Sequence, residues 1–507
     1  MLASNPDGKT PDFDVLIVGA GISGIGMAAH MNNKAPRHSY AIVEMRENLG
    51  GTWDLFRYPG IRSDSDMHTL GFDFEPWRHE KTIADASAIL DYLNKIVDER
   101  DIRRHIQFGQ KVISADFREA DALWHVELES QDGFRRQTTA NFLYLGSGYY
   151  DYDEPHDAGF ELGACEGEVL HPQFWPDDLD YAGKKIVVIG SGATAVTIVP
   201  SMADKAAHVT MLQRTPTWMW ARPAKDRIAN FLRKVLPDSL AYKITRFKNI
   251  RMQDFSFKLA RNRPDKVKAR LTNLIEESLG DKFDADTFAP PYNPWEQRVC
   301  LVPDEDLFTA MKAGTASIIT GQIEAFEAKG IRLKSGELLE ADIIVTATGL
   351  KLAVAGKIAI SHNGVPVDFA ERFYYKGCMF SNLPNLAVVF GYLNASWTLR
   401  ADINSDYICR VLNHMRATGT NVATPVLTPQ AEAAIEEDDV FDFSSGYIQR
   451  SKHIMPRNSV DYPWRLNQEY VQDRKQMRDD PVDDGLLRFA RAQGSDQLDE
   501  EHLEAAE

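Results

Sequence analysis

The sequence predicts an α/β protein with two Rossmann-like dinucleotide-binding domains, the second carrying a helical insertion. Three observations lead there. A short apolar strand runs into a glycine turn at Gly19, Gly21 and Gly24. The same arrangement returns at KIVVIGSGATAV, with Gly190, Gly192 and Ala195 in register. From residue 222 to 296 the pattern changes to charged, helical-period segments such as RIANFLRKVL and KVKARLTNLIEESL.

Bulk properties agree with a multidomain globular chain. Its 507 residues exceed what one core serves, and 44% hydrophobic with 26% charged residues is ordinary composition. A net charge of -17 argues against general affinity of the whole surface for nucleic acid or anionic membrane. Cys165, Cys300, Cys378 and Cys409 are scattered without metal-ligand or CxxC spacing, so a reducing compartment and no metal are expected. The opening MLASNPDGKTPDFD has no basic n-region or cleavage site, and VLIVGAGISGIGMAA is too short and glycine-punctuated for a membrane span. A cytoplasmic location is the resulting expectation.

In the first fingerprint, DFDVLIVGAGISGIGMAAH, Gly19 permits the tight turn and Gly21 lets backbone N–H groups approach a pyrophosphate. Ser23 lies within the turn, and Gly24 allows close packing of helix on strand. The next strand, YAIVEM, brings Glu44 to a position 20 residues beyond Gly24. A carboxylate there accepts hydrogen bonds from a ribose 2′-hydroxyl and repels a 2′-phosphate.

The second fingerprint spans Gly190, Ser191, Gly192, Ala193, Thr194 and Ala195. Its following strand, HVTMLQRTPTW, ends in Gln213 and Arg214, with Thr215 beside them, where the first copy has its acid. A guanidinium grips phosphate bidentately, which points to NADP(H) here and leaves FAD for the first site. Two such sites imply electron transfer from nicotinamide to flavin.

Two further stretches carry no strand or helix period. The segment GGTWDLFRYPGIRSDSDM, Gly50 to Met67, reads as an ordered loop. Trp53, Phe56 and Tyr58 can cover a flavin ring there, and Arg57, Arg62, Asp64 and Asp66 place charges near it. The segment GEVLHPQFWP, just ahead of the second fingerprint, reads as a stiff connector without a buried strand.

Together these stretches resemble the signatures of Baeyer–Villiger monooxygenases, class B flavoprotein monooxygenases. The loop matches [A/G]GxWxxxx[F/Y]P[G/M]xxxD at Gly50, Gly51, Trp53, Tyr58, Pro59, Gly60 and Asp64. The connector matches FxGxxxHxxxWP at Gly167, His171, Trp175 and Pro176, with Cys165 in place of the usual phenylalanine. YNPWEQRVCLVPDEDLF, ADIIVTATGL, GYLNASWTLRAD and SGYIQRS extend the likeness over roughly residues 13 to 490, toward the subgroup of ethionamide-activating monooxygenases.

The resemblance implies a reaction in which dioxygen and NADPH convert ketones to esters or lactones, with sulfoxidation or thioamide S-oxidation as a second outlet. It assigns Arg298 to stabilising a peroxyflavin and Asp64 to orienting Arg298. It adds Gly51, Thr52, Trp53, Tyr58, Asp64 and Val112 to the FAD-binding set, and makes His171 a linker group that couples the two domains. Trp397 is a candidate pocket wall or core residue, and Gln297 stands where many relatives have a phosphate-binding lysine, leaving more of that work to Arg214 and Thr215. Small lipophilic ketones or sulfides and dioxygen are the implied partners.

The expected domains are residues 1–151 and 352–490 for FAD, 152–221 and 297–351 for NADP, 222–296 for the helical insertion, and an acidic, disordered tail at 491–507. Between Arg222 and Arg270, fifteen Lys and Arg residues face four Asp and Glu. This suggests either a solvated cap over the cleft or peripheral contact with an anionic membrane. A rival reading, an NADPH-dependent flavin reductase serving a protein or disulfide partner, shares both nucleotide sites. Its disulfide form requires a redox cysteine pair, and the nearest two cysteines are 31 residues apart.

Overall fold

The computed structural model describes residues 10–491 apart from 164 and 442. The start of the N-terminal segment and the acidic tail from 492 onward therefore lie outside the described residues.

The larger sheet is built around Phe13–Val18, which pairs in parallel with Tyr40–Val43 on one side and Arg135–Leu145 on the other. Helix Ile22–Lys34 makes the crossover between the first two strands. Near-continuous apolar runs explain why the first two strands are buried on both faces. The 11-residue strand Arg135–Leu145 also pairs antiparallel with Leu123–Ser130, and its last residues pair with Leu386–Val388. Thus the chain returns to this domain after leaving it for more than two hundred residues.

The smaller sheet is all parallel, in the order 316–320, 208–213, 185–189, 343–346, 168–170. Its outermost strand corrects the reading of the connector: Glu168–Leu170 pairs in parallel with Ile343–Val345. A three-residue edge strand is too short to show alternation in sequence. A turn of 3-10 helix, Pro172–Phe174, follows it.

The insertion folds as helices Arg227–Val235, Asp238–Asn262 and Pro264–Leu279. Parallel strands Met219–Arg222 and Cys300–Pro303 close its base. Among the described residues, no helix is long and apolar enough to cross a membrane.

Candidate active site

Val18 lies opposite both Val43 and Leu145, so Gly19, Glu44 and Gly146 leave the larger sheet at one level. All three line a cavity of about 340 Å³. The carboxyl end of a parallel sheet is where such folds receive ligands. A Cβ on Gly24 would lie 1.9 Å from the Gly19 carbonyl oxygen, so glycine alone permits this approach of helix to strand. The helix starts at Gly21 with no side-chain cap and no acid in its first turn, leaving its N–H groups and positive end for an anion.

Glu44 is buried, and its two oxygens accept the Ala20 N–H at 2.7 Å and the Arg46 N–H at 2.9 Å. Burial raises its pKa, and those two bonds oppose the rise. Each oxygen keeps a further lone pair for a ribose hydroxyl. Ser147 Oγ, also lining the cavity, is buried with no hydrogen-bond partner among the described residues. A bare helix end, a carboxylate and an unsatisfied hydroxyl together fit a flavin dinucleotide.

Gly51, Thr52, Trp53 and Val112 line the same cavity. Thr52 Oγ1 is 2.9 Å from the Tyr152 hydroxyl, and Val112 adjoins a β-bulge in Gln110–Arg118. Tyr58, expected over the flavin, lines the cavity but packs into the core of the smaller domain. Burial pushes its phenol up to about 12, against the opposing bond to Thr194. Of the four charges in this loop, Arg57 pairs with Asp177 on the surface, Arg62 pairs with Asp306, and Asp66 accepts a bond from Asn249.

Gly190, Gln213 and Ala347 emerge together from the smaller sheet. A Cβ on Gly190 would meet the Ala347 carbonyl oxygen at 2.3 Å, whereas one on Gly192 would meet nothing within 4 Å. Gly192 is thus open toward the outside, where a phosphate can come close. Helix Ala193–Met202 begins there uncapped and without an acid, and its Ala195 is fully buried. Ser191 Oγ donates to the Thr215 carbonyl at 3.0 Å, tying the turn to the next strand end. Gln213 is buried, and its Nε2 donates to the Thr287 carbonyl and Thr320 Oγ1, while its Oε1 has no partner among the described residues. Arg214 is exposed, with no hydrogen bond or ion pair among the described residues. This open set fits a 2′-phosphorylated dinucleotide. Ala193 and Thr194 line the cavity, connecting the second site to the first.

Arg298 precedes strand Cys300–Pro303 and enters the cavity from the smaller domain's side. Its Nη1 lies 3.0 Å from Asp64 Oδ2, a pair joining residues 234 positions apart. Asp64 raises the guanidinium's pKa further, against burial, so this cation persists at every accessible pH. Tyr149 and Tyr150 line the same cavity, Tyr447 lies within electrostatic reach of the guanidinium, and burial raises all three phenols. Tyr149 stacks on Trp397 at 4.9 Å, and Trp397 Nε1 donates to Ser23 Oγ at 2.8 Å. Gln297 is half-buried just before Arg298 and does not line the cavity.

The three tyrosines escaped sequence reasoning. Tyr149 and Tyr150 follow a strand end directly, in the SGYYDYD stretch, and that location at the sheet's carboxyl edge was the usable signal. Tyr447 lies in SGYIQRS, a stretch that carries the family likeness without indicating a role for this residue.

In the connector, His171 Nδ1 accepts the Gln173 N–H at 3.2 Å, and the buried Gln173 side chain donates to the Asp151 carbonyl at 2.8 Å. Burial lowers the pKa of His171, the Gly349 carbonyl opposing. A Cβ on Gly167 would crowd the Ala341 carbonyl oxygen at 3.0 Å. Trp175 packs against the smaller domain's core, Pro176 is half-buried, and Cys165 joins a cluster containing Phe160 and Phe326.

Residues 16–270 match a family described as pyridine nucleotide-disulphide oxidoreductase. A probable FAD-binding monooxygenase AlmA of Acinetobacter baylyi is 47% identical over 480 residues, covering 94% of this chain and 96% of its own. An FAD-containing monooxygenase EthA of Mycolicibacterium smegmatis is 47% identical over 486 residues, covering 95% and 98%. An oxidized steroid monooxygenase bound to NADP shares the fold with a TM-score of 0.75 at 20% identity, over 94% of this chain and 99% of its own. A cyclohexanone monooxygenase bound to ε-caprolactone gives 0.70 at 20%, over 92% and 97%. With two glycine turns of the dinucleotide-binding kind opening on one charged cavity, and near-half identity along nearly its whole length, the chain belongs to the FAD-containing monooxygenases.

Proposed function

We propose that this protein catalyses NADPH-dependent Baeyer–Villiger oxidation of small lipophilic ketones. One oxygen atom of dioxygen enters between the carbonyl carbon and its neighbour, giving an ester or lactone. The other leaves as water, with NADPH and one proton consumed and NADP+ released. A thioether or thioamide sulfur in the same cavity takes the oxygen atom instead.

Gly19, Gly21, Ser23, Gly24, Glu44 and Ser147 would hold FAD, aided by the Gly51–Trp53 turn and Val112. Gly190, Gly192, Arg214 and Thr215 would hold NADPH. FAD, when bound and reduced, supplies the two electrons that activate dioxygen.

The observation that carries the reading is the Arg298–Asp64 pair at 3.0 Å inside the shared cavity. Arg298 places a permanent positive charge where negative charge develops, without a proton to lose. Asp64 orients that charge, while Tyr149 and Trp397 wall the cavity and limit water. Among the described residues no cysteine lines the cavity, so a disulfide reductase lacks its redox thiols there.

The test is NADPH-dependent conversion of linear, cyclic, aryl and sulfide substrates, followed by mass spectrometry with labelled dioxygen. A product carrying one labelled oxygen is expected. If purified holoprotein turns NADPH only into hydrogen peroxide with every compound, the reading fails.

A further inference from the structure

The protein's longest helix, Asp238–Asn262, is amphipathic in the reverse sense: its inner face is polar and its outer face apolar. Inside, the Tyr242 hydroxyl donates to the Phe72 carbonyl at 2.8 Å, and Asn249 donates to Asp66 at 2.9 Å. The buried Arg246 donates to the His68 and Gly71 carbonyls and pairs with Asp402 at 3.1 Å. His30, Asp73 and Asp402 converge closely enough to hold a metal ion, but Arg246 already supplies the cation that Asp402 meets. These bonds anchor the helix on residues 66–72, which follow Asp64 in the chain.

Outside, Leu240, Ile244, Phe247, Met252, Phe255 and Leu259 are exposed, within an arc of about 140° at 100° per residue. Phe247 is 61% and Phe255 65% exposed. The preceding helix adds Ile228, Phe231 and Val235, all more than half exposed. Nine of the fourteen exposed large apolar side chains among the described residues thus fall between Ile228 and Leu259, which marks one surface rather than random scatter. Cations are interleaved with them. Arg227, Lys234, Lys243 and Arg251 are exposed and make no ion pair among the described residues.

We infer that this face docks onto an anionic lipid bilayer, the apolar side chains entering the headgroup–acyl boundary and the free cations meeting lipid phosphates. Charge selects this occupant. The stretch from Arg222 to Arg270 carries fifteen basic residues, of which Arg246 is turned inward, against four acidic ones in a chain of net charge -17. A two-fold contact with a second copy would set two such surfaces against each other. The inference is independent of which substrate the cavity oxidises.

Flotation of the holoprotein with phosphatidylcholine–phosphatidylglycerol vesicles tests it. Binding at least about tenfold above that to phosphatidylcholine alone is expected, weakening as salt rises. The triple variants F231S/F247S/F255S and K234E/K243E/R251E should each lose most of that binding while keeping their FAD content and NADPH oxidation in solution. Wild-type protein that ignores anionic vesicles overturns the inference without reference to any variant's folding. So does binding indifferent to salt and headgroup charge. A wild-type dimer in ultracentrifugation that F231S/F247S/F255S turns to monomer, with no vesicle binding, assigns the face to a second copy and overturns it too.

Discussion

Arg298 and Asp64 meet at 3.0 Å across the boundary between the two nucleotide-binding domains, one arriving on each side of the cavity they share. The cation therefore holds its place only while both domains hold theirs. Replacing Arg298 with alanine should lower oxygenated product at least about 100-fold, with NADPH consumption surviving as hydrogen peroxide release. Asp64→Asn should raise the peroxide-to-product ratio by a smaller factor, because the guanidinium remains but loses its orienting partner. Product and peroxide measured in one assay decide the matter. Unchanged coupling in Arg298→Ala would refute the role.

Arg214 is an exposed guanidinium at a strand end, beside an open glycine turn. Arg214→Ala should raise the KM for NADPH about tenfold or more, the loss of a charge-assisted phosphate contact, and leave NADH almost untouched. Steady-state kinetics with both nucleotides read this directly. Equal effects on the two would remove Arg214 from the 2′-phosphate site.

Tyr58 offers a pH signature. Its phenol is pushed up to about 12 by burial, whereas in the unfolded chain it ionises near the ordinary value of about 10. Above pH ~10 the unfolded state gives up a proton the folded state keeps, so stability falls as pH rises through the ~10 to 12 window. Tyr58→Phe should reduce that alkaline slope by about one proton per molecule in urea titrations from pH 9 to 12. An identical slope in the variant would show that Tyr58 titrates normally.

Gly60 has a positive φ of 76°, and a Cβ there would lie 1.8 Å from Ser201 Oγ on the smaller domain's first helix. Gly60→Ala should destabilise the protein by about 1–3 kcal/mol in urea unfolding, since both strain and overlap act at once. Adding Ser201→Gly should recover the overlap part and leave the strain. A wild-type midpoint in the single variant would mean the loop does not sit against that helix.

The sequence by itself determined the two glycine turns, the acid after the first and the arginine after the second, because local backbone chemistry and chain order specify them. Short-range pattern also placed the helices of the insertion. The connector's edge strand was invisible: three residues carry no period, and their pairing partner lies more than 170 positions onward. Register put the uncharged Gln213 at the end of the second fingerprint's next strand, but only tertiary packing shows its amide turned toward Thr287 and Thr320. Only the folded chain could bring Tyr149, Tyr150 and Tyr447 within electrostatic reach of Arg298, since the approach of distant segments leaves no mark in local composition. The reversed face of Asp238–Asn262 was hidden for the same reason. Which side of an amphipathic helix points inward depends on what it meets, and here a polar loop and Asp402 waited inside.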